Sequence, residues 1–191
     1  MQTIVNARFV SVDGVDGVGK TTACRSLARA IGAIYHKSPS GLFAAVRARV
    51  DGETDPFTRC LFYRAAVQHD AAVIEDHLRH GRSVVCDRFI YSTFAYHVAL
   101  QPSIADTFPW GGIIRPHVSF LLTASAQARA HRLASRRAAP GSTPFRERDQ
   151  LFQDRVDEVF RRLPLFLIDT TTMSAGEVVE QMLRHLSREA P

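Results

Sequence analysis

A parallel β-sheet covered by helices on both faces is the α/β fold class this sequence predicts, and three observations carry it. Short apolar runs bounded by turn residues recur along the chain without polar alternation, the pattern of strands buried on both sides. Stretches with apolar residues at three- and four-residue steps separate them, so strand and helix alternate and every crossover is long enough for a parallel connection. The first apolar run leads straight into a glycine-rich turn and a helix, which puts a ligand at the carboxyl edge of such a sheet. A chain of 191 residues is expected to form a single domain, 1–191, with about five strands and right-handed crossovers.

Residues 8–12 make the first expected strand, and residues 14–21 read Gly-Val-Asp-Gly-Val-Gly-Lys-Thr. That run fills every fixed place of G-x-x-x-x-G-K-[ST], a phosphate-binding loop, and predicts a three-layer P-loop NTPase fold. A helix over 23–31 follows and stops at Gly32. Residues 33–36 form a second strand, 37–41 a loop, 42–50 a short helix and 51–56 a polar connector. The spacing of Cys60, Tyr63, Val67, Ala71, Ile74 and Leu78 predicts a long helix over 57–80 with one buried stripe, ended by Gly81. An apolar run at 83–87 delivers Asp87 to the sheet edge, a helix covers 89–101, and 102–115 is mixed. The strand 117–123 precedes a basic helix over 125–137, and the prolines and glycine of 138–144 forbid regular structure there. A helix over 148–163, a strand over 165–169 and a helix over 174–186 complete the chain.

Composition narrows the class. No apolar run approaches the ~20 residues of a membrane span, and the first six residues lack a signal peptide's basic and apolar regions, so a cytoplasmic protein without membrane contact is expected. Cys24, Cys60 and Cys86 are far apart and odd in number, the signature of reduced core thiols. The net charge of +5 and the pI of 9.6 raise nucleic acid as a partner, but no aromatic single-strand platform or DNA-binding motif accompanies them. Much of the excess arginine lies between 129 and 162, around a segment able to close over a polyphosphate. No nucleic-acid partner is therefore expected.

The loop dictates its own chemistry. Gly14, Asp16, Gly17, Val18, Gly19, Lys20, Thr21 and Thr22 are expected to surround the phosphates of a nucleotide, with backbone N–H groups curled toward the anion and the helix dipole behind them. Lys20 brings a full charge to the outer phosphates, and Thr21 Oγ1 and Asp87 are the candidate Mg²⁺ ligands. Asp87 is alternatively an N-cap for the next helix. Asp16 is an odd charge to find among phosphates unless it meets a sugar hydroxyl or the metal's waters.

Residues 12–22, residues 87–96 (Asp-Arg-Phe-Ile-Tyr-Ser-Thr-Phe-Ala-Tyr) and residues 152–156 (Phe-Gln-Asp-Arg-Val) together resemble the thymidylate kinases over nearly the whole chain, in the same order. The segment 87–96 is the specific part, because hundreds of NTPases share the loop. The resemblance implies transfer of the γ-phosphoryl group of ATP to a nucleoside monophosphate, dTMP or a related or modified nucleotide, with Mg²⁺ as cofactor. It implies that Arg88 grips the acceptor phosphate, that Asp16 lies near its 3′-hydroxyl and that Tyr96 lies beside its 2′ carbon. Phe62 matches the aromatic that stacks on the base, with Thr93 also at the acceptor. Asp13 stands where the family usually has Glu, and caps or braces the loop. Because positions 15–18 hold no arginine, the chain resembles the branch whose lid supplies the transition-state charge. The lid is expected over about 132–148, with Arg132, Arg136 and Arg137 as catalytic candidates beside Arg146 and Arg148. The family commonly forms homodimers.

Two departures stand out. The position four residues after Phe62, where the family reads the base with an arginine, is Ala66; Arg64 lies about 200° around the helix from Phe62, while Arg59 and His69 lie nearer the right face. The family's Arg-Glu-Pro after the second strand is Lys37-Ser38-Pro39, which keeps a cation and loses a carboxylate. Phe62 and Tyr96 are alternatively core packing, and Arg88 a surface ion-pair residue. The competing functions are a nucleoside or other alcohol kinase, which needs a general base, and a regulatory ATP-binding switch.

Overall fold

The computed structural model describes residues 7–136 and 149–188, Leu42 and Arg136 by backbone only. Alternation along the central strand decides the layout. In β1 (Phe9–Asp13) successive side chains point to opposite faces, so Phe9 enters one core while Val10 and Val12 enter the other. β3 (Val84–Asp87) repeats this, with Val84 and Cys86 beside Phe9 and Val85 across the sheet. Together with β2 (Ile34–Lys37), β4 (Val118–Thr123) and β5 (Phe166–Asp169) they form, among the described residues, one sheet of five strands in the order β2-β3-β1-β4-β5. Every pairing is parallel, as expected.

Eight helices fill the crossovers among the described residues. α1 (Lys20–Ala30) starts three residues earlier than the apolar pattern indicates, because left-handed Gly19, at φ 95°, turns the loop directly into a helix at Lys20. α2 (Gly41–Glu53) is longer than expected. α3 (Pro56–Arg79) is started by Pro56 and by the Asp55 carboxylate, which accepts from the N–H groups of Phe57 and Thr58 at 2.9 and 3.0 Å. Its apolar stripe of Cys60, Val67, Ala71 and Ile74 enters the core, and a second stripe, Arg59, Ala66 and Asp70, is buried beside it. After α4 (Ile90–Leu100) the mixed segment contains one helical turn, α5 (Ile104–Thr107). α6 (Ala126–Arg136) leads toward the expected lid. α7 (Gln150–Arg161) packs on α4, and α8 (Ala175–Arg188) packs on α1. Residues 137–148, which hold most of the expected lid and Arg137, Arg146 and Arg148, lie outside the described residues.

The three cysteines are buried and free, and among the described residues no helix is long and apolar enough to cross a membrane. What matters for the site is register. Val12 pairs with Asp87, Asp87 with Lys37, and Asp13 with Leu121, so the carboxyl ends of four strands meet at one edge. β1 lies where the strand order reverses, and the crevice above it opens between the two directions of winding.

Gly14 lets the chain leave β1 at this crevice. A Cβ there would lie 2.3 Å from the Leu122 carbonyl oxygen, and its φ is 137°. Gly14→Ala is therefore expected to destabilise the protein by roughly 3 kcal/mol through overlap and strain, read as a lower urea midpoint at unchanged slope.

Candidate active site

The glycine-rich loop hands over to α1 without a side-chain cap, so the first-turn N–H groups stay available to an anion. Lys20, only 6 % exposed, donates from Nζ to the Val15 carbonyl at 2.7 Å and stands 3.7 Å from Asp16 Oδ1. Burial, and then the Arg88 charge, pull its ammonium down to about 8, against the opposing pull of Asp16 and Asp87. Thr21 Oγ1 donates to Asp87 Oδ2 at 2.6 Å, and Thr22 is exposed on the same turn. Asp87 Oδ2 also accepts from the Tyr35 hydroxyl at 3.2 Å.

Arg88 faces this loop from β3. It is the one residue other than glycine with positive φ among the described residues, at 71°, a strained conformation that swings its side chain back over β1. Its guanidinium donates to the Gly14 carbonyl at 3.1 Å and to Asp16 Oδ1, and lies 5.2 Å from the centre of the Tyr96 ring. The Tyr96 hydroxyl reaches Asp16 Oδ2 at 3.4 Å, and the ring packs on Phe152 and Phe160 of α7. Burial opposes the charge on Asp16, yet Arg88 and Lys20 outweigh it and hold the carboxyl down to about 2. Arg88 is not a surface ion-pair residue. Its side chain is 20 % exposed and belongs to a cluster of two cations, one carboxylate and one phenol.

Asp13 settles which carboxylate begins α4. It is fully buried, and its Oδ1 accepts from Phe89 N at 3.2 Å, Ser92 N at 3.1 Å and Ser92 Oγ at 2.6 Å. Burial raises its pKa against these bonds. Asp13 thus braces the end of β1 to the segment carrying Arg88, and Asp87 remains directed at Thr21 and Tyr35. Sequence reasoning missed Tyr35 and Gln153; Gln153 is 2 % exposed and its Oε1 meets Asp16 N at 3.5 Å. The 152–156 segment was the only signal for the latter.

On the other side of Arg88, α2, α3 and α4 form an aromatic wall. Phe62 is half-buried, 5.6 Å from Phe43 and 5.5 Å from Tyr63, ring to ring. Ala66 is buried one turn further, and His69 is exposed with its ring 5.7 Å from Phe43. Thr93 is buried on α4, and Lys37 is exposed at the end of β2. Arg64 does face away, held by the Pro109 and Gly111 carbonyls at 2.8 and 2.5 Å. Arg59 turns to the α2–α3 connector, donating to Thr54 O at 2.6 Å and standing 3.8 Å from Asp51.

Of the expected lid arginines, Arg132 is described in full. It donates to Thr170 O at 2.6 Å, Thr170 Oγ1 at 3.0 Å and Gly17 O at 3.4 Å, tying the turn after β5 to the phosphate loop. Those acceptors lie on the far side of the loop from Arg88. The side chains of Arg136 and Arg137 lie outside the described residues.

The arrangement can hold two anions, one in the amide cradle at Lys20 and one under Arg88. Thr21 and Asp87 supply hard oxygen donors beside the first, a set that fits Mg²⁺ with its retained waters.

Comparison with known proteins gives a consistent answer. The family model described as thymidylate kinase matches residues 12–184. A thymidylate kinase from Rhizorhabdus wittichii is 32% identical over 173 residues, 82% of this chain and 83% of its own. A probable thymidylate kinase from Methanocaldococcus jannaschii is 28% identical over 96% of this chain and 97% of its own. The solved thymidylate kinase of Candida albicans matches the fold with a TM-score of 0.81, at 18% identity, over 96% of this chain and 92% of that one.

The depressed pKa of Lys20 has a thermodynamic sign. Its folded value of about 8 lies below the ordinary 10.5, so the buried charge costs stability fully below pH 8 and the cost fades as pH rises toward 10.5. Lys20→Met is expected to abolish turnover yet gain roughly 3 kcal/mol at pH 7. Thermal unfolding across pH 7 to 10 should show that gain shrinking.

Proposed function

We propose, because the chain belongs to the thymidylate kinase family, that it transfers the γ-phosphoryl group of ATP to the phosphate of dTMP, giving dTDP. The observation that supports it best is the pairing of buried Lys20 and half-buried Arg88 across Asp16, beside the glycine-rich cradle of amides. Repulsion between two polyanions is the main obstacle to phosphoryl transfer, and two cations on a rigid sheet edge offset it.

In this reading the amides from Gly14 to Thr22 and the Lys20 ammonium hold the β- and γ-phosphates. Thr21 and Asp87 would hold Mg²⁺, which would supply charge neutralisation to the phosphates. Arg88 exchanges its bond to Asp16 for a forked bond to the acceptor phosphate, leaving the Asp16 carboxylate, still beside Lys20, to accept from the sugar's 3′-hydroxyl. Tyr96 fills the space at the 2′ carbon and excludes a ribose, and Phe62 supplies a face for the base. We assign the transition-state charge to the lid arginines Arg136 and Arg137, as the family resemblance implies. Arg132 acts differently, fixing the loop from behind. We place the reaction in the cytoplasm and take a homodimer, the usual assembly of the family, as its form; one domain with a short lid accounts for all of it.

An alcohol kinase reading is weaker on this geometry. Asp16, held down to about 2 and already accepting from Arg88 and Tyr96, is a poor proton acceptor, whereas a phosphate acceptor needs none.

With ATP and Mg²⁺, dTMP should give ADP and dTDP by product mass, and thymidine should give nothing. Phosphorylation of thymidine without turnover of dTMP would overturn the assignment. Arg88→Lys keeps the charge and loses the fork, so the KM for dTMP should rise roughly 10- to 100-fold while that for ATP changes by less than about 2-fold.

A further inference from the structure

Asp70 lies on α3 two four-residue steps beyond Phe62, with Ala66 between them, so the three share one side of the helix. It is fully buried, and its carboxylate reaches away from its own helix. Oδ1 accepts from His36 Nε2 at 3.0 Å and from the Ser40 hydroxyl, 34 and 30 positions away along the chain. Burial opposes the charge, yet bonds from His36, Ser38 and Ser40 outweigh it and hold the carboxyl below its ordinary value. An ionised carboxylate can only accept, so His36 carries its proton on Nε2.

Two observations separate this contact from ordinary packing. Ser40 stands at the N-cap of α2, where a serine usually accepts from the free N–H groups of the first turn, and it makes no such bond. Its hydroxyl is turned to Asp70 instead. Asp70 Oδ2 is buried and has no partner among the described residues, and a buried charge left half-paired is a poor source of stability. A carboxylate kept on those terms fixes geometry, and the geometry within its reach is the acceptor side of the crevice. The stretch from His36 to Ser40 leaves β2 at the sheet edge, where Lys37 is in register with Asp87 and the Ser38 N–H donates to the Asp87 carbonyl at 3.2 Å. Arg88 is the next residue of that neighbouring strand end. Beyond Ser40, α2 brings the Phe43 ring to 5.6 Å from that of Phe62.

We infer that Asp70 is a positioning residue for the acceptor: by tying His36 and Ser40 to α3 it holds Lys37 at the sheet edge next to Arg88 and Phe43 against Phe62, and so shapes the pocket for the acceptor nucleotide. The inference rests on the nucleoside monophosphate reading and deepens it, because it makes the acceptor side depend on this carboxylate while the donor cradle does not.

Steady-state kinetics with dTMP and ATP varied separately, beside thermal unfolding of each variant, test it. Asp70→Ala should raise the KM for dTMP about 10-fold or more while changing that for ATP by less than about 2-fold. Amide hydrogen exchange should quicken over residues 36–41 and stay as in the wild type over 14–22. His36→Gln keeps an N–H near the place of Nε2 and should leave the KM for dTMP within about 3-fold, whereas His36→Leu should raise it as Asp70→Ala does. A folded Asp70→Ala with an unchanged KM for dTMP, or with both KM values raised in parallel, makes Asp70 a core packing residue and overturns the inference. If Asp70→Ala does not fold, the His36 pair decides: a rise in the KM for dTMP that is larger with Leu than with Gln supports it, and equal effects overturn it. Wild-type protein that turns over no dTMP sinks the proposed function and this inference with it; wild-type turnover with either overturning result sinks the inference alone.

Discussion

One carboxylate shared by a buried lysine and a half-buried arginine holds the working end of this protein together. Asp16 sits between Lys20 and Arg88, and the two cations hold its carboxylate ionised against the cost of burial. Arg88 reaches that position only through a left-handed backbone, and the strain is held by Asp13, which fastens the following residues to the end of β1. The cluster is therefore a local concentration of unfavourable terms, positive charge out of water and a strained dihedral, carried by a sheet whose strands are buried on both faces.

A second buried carboxylate orders the neighbouring loop. Asp70 of α3 accepts from His36 Nε2 at 3.0 Å and from the Ser40 hydroxyl, with Ser38 beside them. Burial raises its pKa, but these bonds outweigh it and the group stays ionised. The Lys37-Ser38-Pro39 loop lacks the glutamate of the usual family pattern, and α3 brings a carboxylate to the same loop from a different direction.

The phosphate loop, the strand-end Asp87 and the Asp-Arg-aromatic segment were legible in the sequence because each depends on local geometry. A glycine at Gly14 or Gly19 is demanded by the backbone itself, and Arg88 follows Asp87 directly, so strand and turn carry both to the edge together. Strand direction was legible, since alternating strands and helices require parallel pairing and every described pairing is parallel. Helix starts were less so, since the apolar pattern of α1 begins at Ala23 while the helix begins at Lys20.

The sequence by itself determined the fold class and the placing of the glycine-rich loop and the Asp87-Arg88 pair at one sheet edge, because spacing over ten residues or fewer carries them. Only the tertiary structure decided which carboxylate caps α4, that Arg132 grips Thr170 and that Asp70 serves the loop after β2. Each of these pairs residues dozens of positions apart. No periodicity records such a pairing, since a side chain's partner is fixed by where the sheet places its neighbours.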